Sequence, residues 1–113
     1  MKIVKKNITI QELKTMAQKM FGNLVKAVVD IEKEIMAIDG ELHADEEALL
    51  IKSGSDNKDL WGINIYTDLS PENWIEFDSM INLKPALSNR TRSVEDKSKQ
   101  EKIIQIVEKL IKK

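Results

Sequence analysis

The sequence predicts an α+β fold, a mainly antiparallel four- to five-stranded sheet with about three helices packed on one face. Segments in which apolar and polar residues alternate, as in half-buried strands, occur in two consecutive pairs, which favours antiparallel neighbours. The other long segments have apolar residues at helical spacing, each with one stripe that must be buried. A chain of 113 residues fits one domain, residues 1–113.

The N-terminal region is predicted to form a strand followed by a helix. Residues 2–8, KIVKKNI, have the composition of a short strand. Thr9 and Glu12 have the spacing of a capping box, in which each side chain bonds to the backbone N–H of the other residue. Apolar residues then recur at helical spacing, and Gly22 is a natural stop for this helix.

The middle of the chain is predicted to form a pair of strands and a second helix. The strands cover residues 25–31 and 35–38 and are joined by a short polar turn. A helix of about three turns follows, beginning near His43 and ending at Gly54. The acidic residues around His43 are therefore expected in its first turn.

Two more strands and a last helix complete the prediction. The strands are residues 60–67 and residues 74–83, and the second has the clearest alternation in the chain. The last helix extends from about Glu95 to Lys112, with Ser93 or Asp96 as its cap.

The sheet face away from the helices is predicted to be polar, and open to solvent or to a partner. The side chains expected on this face are Asp30, Asn64, Tyr66, Glu76, Asp78 and Asn82. Trp61 and Trp74 each begin a strand, where a tryptophan either packs in the core or, if exposed, marks a binding surface.

Charge and composition argue against several classes of protein. The formal net charge is −1 and the basic residues are scattered, which disfavours nucleic acid and membrane surfaces as partners. The chain has no cysteine, which excludes disulfides and thiolate ligands and fits a reducing compartment. No apolar run approaches the roughly 20 residues of a membrane span or has the form of a signal peptide. We therefore expect a cytoplasmic location.

The segment GELHADEE contains the only histidine of the chain. If the helix begins near His43, then His43 and Glu47 share one face, and with Asp45 they form a partial ligand set for zinc, iron or manganese. His43 is also a candidate general acid or base, as is Glu47. The alternative is that the acidic residues simply interact with the positive end of the helix dipole.

The segment WIEFDSMIN carries a pair of carboxylates, Glu76 and Asp78. Two residues apart on a strand, they would share a face. Such a pair is a candidate for catalysis or for holding a divalent cation. The alternative is that both belong to the solvent-exposed face of an antiparallel sheet.

The segment SNRTRSVED contains Arg90 and Arg92, the only arginines among 18 basic residues. Arginine offers a planar, bidentate fork for carboxylate or phosphate that lysine cannot copy. Because these residues and Asn89 precede a helix, free backbone N–H groups are expected nearby, and the segment is a candidate anion-binding site. The alternative is that the arginines pair with neighbouring carboxylates.

Several strings of the chain resemble a small bacterial family of unknown function. They are VVDIEKEIMAIDGELHADEEALL, DLWGINIY, WIEFDSMINLKP and NRTRSVED. The resemblance runs from about Leu24 to the last helix. It implies a free-standing bacterial protein of this length, but neither an activity nor a functional residue.

Three hypotheses for function follow from these residues. The first is a binding or interaction module for an anionic small molecule or a protein partner, using the polar sheet face and the Arg90/Arg92 segment. The second is a metal-assisted hydrolase built on His43 and the nearby carboxylates. The third, supported only by small size, is one component of a two-protein system of the toxin–antitoxin type. A homodimer is compatible with each of them.

Overall fold

A five-stranded antiparallel sheet forms the centre of the molecule in the computed structural model, which describes residues 1–113. In spatial order, its strands are β1 (Lys2–Val4), β4 (Ile35–Ile38), β3 (Leu24–Asp30), β5 (Leu60–Tyr66) and β6 (Ile75–Glu76). The other elements are β2 (Ile8–Thr9), which pairs in parallel with β7 (Ile111–Lys112), and helices α1 (Ile10–Met20), α2 (His43–Lys52) and α3 (Lys97–Leu110). The predicted α+β class and antiparallel sheet are confirmed.

Helix α1 begins after Thr9, as predicted, but only one of the two capping-box bonds forms, because the Glu12 carboxylate accepts from the Thr9 hydroxyl instead of the Thr9 N–H. The Thr9 hydroxyl oxygen accepts a hydrogen bond from the Glu12 backbone N–H at 3.1 Å. After the helix, Gly22 has a φ of +90°, a left-handed conformation that favours glycine. The predicted strand over residues 2–8 is wrong in its extent, because the chain forms two short strands there, β1 and β2, which pair with different partners.

The main core lies between one face of the sheet and the helices α1 and α3. Alternate residues of β5, including Trp61, point to this face, as predicted. Trp74 belongs to the same core and is only 3% exposed, while Trp61 is fully buried. Both tryptophans are therefore core residues, and neither forms an exposed binding surface.

Helix α2 packs on the opposite face of the sheet, so the expectation that all three helices lie on one face is wrong for this helix. Leu50 of α2 is buried against Val28 of β3 and Ala37 of β4. Val28 alternates with Ala27 and Val29, which point into the main core. Strand β3 therefore has apolar side chains on both faces, a pattern typical of a strand covered on both sides.

The predicted open polar face is therefore largely covered. Asp30, Asn64 and Asn82 are all buried. Asp30 shapes the β3–β4 turn, since its carboxylate accepts hydrogen bonds from two backbone N–H groups and, at 2.6 Å, from the Ser55 hydroxyl. Of the residues expected on this face, Glu76 is the one that remains exposed.

The predicted strand over residues 74–83 is mostly wrong. Only Ile75 and Glu76 pair with β5, and residues Met80–Asn82 form a single turn of 3-10 helix. The Ser79 hydroxyl begins this turn by accepting a hydrogen bond from the Ile81 N–H. The alternation that predicted a strand thus extends beyond the residues that pair.

Helix α3 begins after Asp96, one of its two predicted caps. The Asp96 carboxylate accepts hydrogen bonds from the backbone N–H groups of Ser98 and Lys99. The helix buries Ile103, Ile106, Val107 and Leu110 in the main core. None of the helices is both long enough and apolar enough to cross a membrane.

Candidate functional site

His43 is the first residue of α2, and it is buried. Its Nε2 lies 2.8 Å from the backbone carbonyl oxygen of Ile63 in β5. A carbonyl can only accept, so Nε2 carries the proton and Nδ1 is the unprotonated ring nitrogen. Burial lowers the pKa of His43 from its ordinary value, so the imidazole is neutral at physiological pH. His43 thus fastens the start of α2 to the central sheet.

The carboxylates of GELHADEE do not converge on His43. Asp45 is exposed, and Glu47 accepts a hydrogen bond at 3.0 Å from the side chain of Asn57. No group of three or more histidine or carboxylate side chains lies in an arrangement that could hold a metal ion. His43, Asp45 and Glu47 therefore do not come together as a set of metal ligands in this structure.

Glu46, which sequence reasoning did not single out, is the most unusual residue of this segment. Its side chain is fully buried, and one carboxyl oxygen accepts the Gly40 N–H at 2.9 Å, while the other has no partner. Burial raises the pKa of Glu46 to about 9, so the carboxyl is protonated and neutral at pH 7. A carboxyl in the acidic first turn of a helix is normally ionised, and no local signal distinguishes Glu46 from its neighbours.

Glu76 and Asp78 have separate partners. Glu76 accepts hydrogen bonds from the Asn64 amide at 2.8 Å and from the Tyr66 hydroxyl at 3.0 Å. Asp78 pairs with Arg92, whose Nε donates to the carboxylate at 2.6 Å. Each carboxylate is therefore engaged in a contact of its own.

The SNRTRS loop is organised by the chain's own side chains. Asn89 is buried, and its amide donates to three backbone carbonyls, those of Asn82, Thr91 and Ser93. The Glu95 carboxylate accepts the backbone N–H groups of Arg90 and Thr91, and the first of these contacts lowers the pKa of Glu95 most.

Glu95 in the loop and Asp96 at the start of α3 thus occupy backbone N–H groups in the region where an external anion was expected to bind. Of the three predicted anion ligands, Asn89, Arg90 and Arg92, only Arg92 lines a cavity.

The largest cavity of the molecule, of about 430 Å³, lies between α2 and the loop after β6. We call it the Lys84 cavity. Its polar wall comprises Glu47, Asn57, Lys58 and Lys84. Its other wall is made by the apolar residues of the loop, Met80, Ile81, Leu83, Pro85, Ala86 and Leu87. A concave apolar pocket with a few convergent polar groups is the usual form of a ligand site.

Lys84 is the most distinctive residue of this cavity. The residue is only 8% exposed, and its Nζ donates to the Asn57 side-chain oxygen at 3.3 Å. The Glu47 carboxylate lies 4.0 Å away, and the centroid of the Trp61 ring lies 5.5 Å away. Burial lowers the pKa of Lys84 from its ordinary value, against the opposing effect of Glu47. The ammonium group is therefore poorly solvated and incompletely paired.

The mouth of the Lys84 cavity is apolar. Met80, Leu83 and Leu87 are exposed although they are large hydrophobic residues, and Met80 is 62% exposed. These side chains line a single cavity rather than being scattered over the surface. Grouped exposed apolar side chains beside a polar centre are typical of a binding site.

Sequence reasoning missed Lys84, although a weak signal was present. The lysine stands between apolar residues in the run LKPAL, residues 83–87, where a solvated side chain is not expected. Its burial depends on contacts with Asn57 and Trp61, which are more than 20 residues away in sequence. Periodicity cannot reveal contacts of that range.

Comparison with protein families identifies the chain. The model of the family described as "Protein of unknown function (DUF5674)" matches residues 2–110, nearly the whole sequence. The chain belongs to this family, in agreement with the resemblance seen in its sequence. Comparison with curated proteins and with solved structures finds no match.

Proposed function

We propose that this DUF5674 protein is a ligand-binding module whose Lys84 cavity takes a small amphipathic monoanion, namely a carboxylate attached to an apolar group. The single observation that carries the proposal is the buried Lys84 in the wall of the largest cavity. A buried cation with a free hydrogen-bonding position gains most from an anionic partner, because charge-assisted bonds are strong where water is excluded.

The charge of the cavity supports a single negative charge on the ligand. Lys84 and Lys99 both place Nζ over the Trp61 ring, at 5.5 and 4.9 Å from its centroid, while Glu47 is the only carboxylate of the cavity wall. Lys58 at the rim is already paired with Asp56 and Asp59. Lys84 and Lys99 together exceed Glu47 by one positive charge beside the Trp61 ring, although Lys99 itself is outside the cavity wall.

The apolar mouth supports a ligand that is more than a bare anion. The cavity volume of about 430 Å³ is within the range of small-molecule sites, roughly 300–1,000 Å³. A hydrocarbon tail leaving the Lys84 end would cover Met80, Leu83 and Leu87, which otherwise face water. Burying such surface contributes roughly 25 cal/mol per Å² to binding.

The test is a titration with octanoate, with 1-octanol as the uncharged probe. In a Trp74→Phe background, the remaining tryptophan is Trp61, whose contact with Lys84 makes its fluorescence a local reporter. We expect saturable binding of octanoate. Lys84→Met should weaken it about tenfold or more, since a bond to a charged group contributes about 1.5–3 kcal/mol.

Lys52→Met is the matched control, because Lys52 is an exposed lysine of α2 that lies outside the cavity. It should bind octanoate as the parent does. Equal binding of octanoate and 1-octanol, or equal losses in Lys52→Met and Lys84→Met, would refute a specific anion contact at Lys84.

The remaining sequence hypotheses gain less support. No contact near His43 favours a metal-assisted hydrolase over a binding module, and no feature of the fold favours a two-protein system. A cytoplasmic location stays part of the proposal, because the absence of cysteine fits a reducing compartment.

A further inference from the structure

A second cavity, of about 190 Å³, adjoins the Lys84 cavity and shares Met80 and Ile81 with it. Its polar walls are formed by Lys26, His43, Ser79 and Arg92. These residues come from β3, the start of α2 and the loop after β6, so the fold brings together basic groups that are far apart in sequence. The cavity is too small for a large ligand but has room for a compact ion and several waters.

Two cations border this cavity, and only one of them, Arg92, has a carboxylate partner. Lys26 is half-buried and forms no ion pair, its Nζ lying 5.0 Å from the centroid of the Phe21 ring. Arg92 gives its Nε to Asp78, which leaves its two terminal nitrogens available. Even with the charge of Asp78 included, the two cations leave one positive charge in excess.

The cavity wall also presents uncharged donors. Ser79 is 1% exposed, and its hydroxyl oxygen accepts the Ile81 N–H, but its own proton has no acceptor in the protein. Helix α2 also begins here, and its N-cap, Leu42, has no side chain that could cap it. The N–H groups of His43 and Ala44, both in this wall, are among those that a helix start leaves free. These N–H groups point out of the positive end of the helix dipole, which favours a negatively charged ligand.

The buried carboxyl group of Glu46 does not compete for the site. Glu46 interacts electrostatically with Lys26, but burial raises the pKa of Glu46 to about 9. It is therefore neutral at pH 7 and adds no negative charge beside Lys26. His43 is neutral as well and contributes hydrogen-bonding capacity rather than charge.

We propose that the cavity between Lys26 and Arg92 binds a compact phosphate-type oxyanion, either inorganic phosphate or the phosphate group of a small monoester. Lys26 and Arg92 supply the charge, the start of α2 supplies backbone N–H donors, and the Ser79 hydroxyl supplies one more. A tetrahedral oxyanion suits this set because its oxygens accept bonds from several directions. This site is separate from the octanoate site and does not depend on it.

The experiment is isothermal titration with inorganic phosphate at constant ionic strength, repeated with glycerol 2-phosphate to distinguish a free phosphate site from a monoester site. The variants are Lys26→Met and Arg92→Met, each of which removes one cation from the wall. Arg90→Met is the matched control, because Arg90 is in the same loop and is exposed like Arg92 but lies outside the cavity. Near-ultraviolet circular dichroism of the buried tryptophans verifies that each variant is folded.

We expect saturable phosphate binding in the parent and in Arg90→Met, and binding about tenfold or more weaker in Lys26→Met and in Arg92→Met. Octanoate binding should be unchanged in both. No saturable binding of either phosphate compound to the parent would overturn the proposal. Equal weakening in Arg90→Met would also overturn it, because it would indicate attraction by general surface charge.

Discussion

The side chain of Asn82 pairs with the backbone of Gly62 in the way that a neighbouring strand would. The Asn82 amide oxygen accepts the Gly62 N–H at 2.8 Å, and its nitrogen donates to the Gly62 carbonyl at 3.0 Å. The same nitrogen donates to the Arg92 carbonyl at 2.9 Å. One side chain therefore replaces a strand at this edge of β5, and the main chain is free to turn at Met80 and Ile81, which border both cavities.

Glycine is required at position 62 for this approach. A Cβ added to Gly62 would lie 2.6 Å from the Cβ of Ser79, closer than two carbon atoms can approach. The absence of a side chain thus lets the loop after β6 lie against the strand. The cavity walls depend on this contact, since Ser79 begins the turn that carries Met80 and Ile81.

Asn82→Ala should destabilise the protein strongly. The substitution removes three hydrogen bonds and leaves the buried N–H and C=O groups of Gly62 without partners, so we expect a loss of about 2–4 kcal/mol in the free energy of unfolding. Urea unfolding followed by tryptophan fluorescence measures it. Asn73→Ala, an exposed asparagine in another loop, is the control and should change stability by less than about 0.5 kcal/mol. Equal effects of the two substitutions would contradict the bridging role of Asn82.

Glu46→Gln should remove a dependence of stability on pH. In the wild type the pKa of Glu46 is about 9 in the folded state, against an ordinary value of 4.5. Between these values the folded protein binds one more proton than the unfolded chain, so stability falls as pH rises, by up to about 1.4 kcal/mol per pH unit. Glutamine has nearly the same shape and does not titrate. Its advantage over wild type should therefore be small at pH 5 and grow towards pH 9.

Urea unfolding of both proteins across this pH range provides the measurement. Glu41→Gln is the matched control, because Glu41 is exposed and close to Glu46 in sequence. A difference between wild type and Glu46→Gln that stays constant from pH 5 to pH 9 would show that Glu46 is ionised in the folded protein.

Local sequence signals predicted the parts of the fold that depend on neighbouring residues. The caps at Thr9 and Asp96 and the starts of α2 and β5 follow from interactions within one turn or one strand. The wrong predictions concern features that are set by residues far apart in sequence. Alternation in residues 74–83 resembles a strand, but nothing local reveals that the Asn82 side chain would take the place of strand pairing with Gly62.

The candidate sites also divide into features that the local sequence reveals and features that depend on tertiary packing. His43 and Arg92 drew attention because of their residue types, and the fold places both in the wall of one cavity. The ionisation states of Glu46 and Lys84 could not be predicted, because burial sets both of their pKa values and is decided by tertiary packing. An acidic run and a lysine-rich composition conceal a carboxyl whose pKa burial raises and an ammonium whose pKa burial lowers.

His43 should make stability depend on pH in the opposite direction to Glu46. Burial lowers the pKa of His43 below 6.5, so the folded state binds fewer protons than the unfolded chain just below that pH. The contribution of His43 to the free energy of unfolding is complete above pH 6.5 and is lost as the pH falls through the folded-state pKa. Because this is the only histidine, its ring protons give an unambiguous titration by proton NMR. A midpoint at or above 6.5 would contradict the buried, neutral ring.

His43→Gln tests the contact itself. A glutamine amide can still donate to the Ile63 carbonyl but does not titrate near neutrality. The variant should therefore remain folded and should lose the acid-induced decrease in stability that is specific to His43. His43→Leu keeps the apolar volume but leaves the carbonyl unpaired, which costs about 1–3 kcal/mol. If leucine and glutamine were equivalent, the hydrogen bond to Ile63 would have no role in stability.

Lys84→Met should leave the free energy of unfolding within about 1 kcal/mol of the wild type, or raise it, although Lys84 is among the least exposed charged residues. Methionine preserves the apolar stem and removes an ammonium that lies 4.0 Å from Glu47, too far for a hydrogen bond. Glu47 keeps its bond to Asn57 and some contact with water, so no isolated buried charge remains.

The pH dependence of this variant gives a second measurement on Lys84. A lowered lysine pKa means that the folded state binds fewer protons than the unfolded chain, so the cost of burying Lys84 persists at low pH and is relieved as the pH rises towards 10.5. The advantage of Lys84→Met should therefore be greatest near neutrality and shrink towards pH 10. Lys52→Met corrects for the other lysines, since Lys52 is solvent-exposed and forms no ion pair. A loss of more than about 2 kcal/mol in Lys84→Met at pH 7 would mean that the fold depends on this ammonium, and that the cavity has no cation to spare for a ligand.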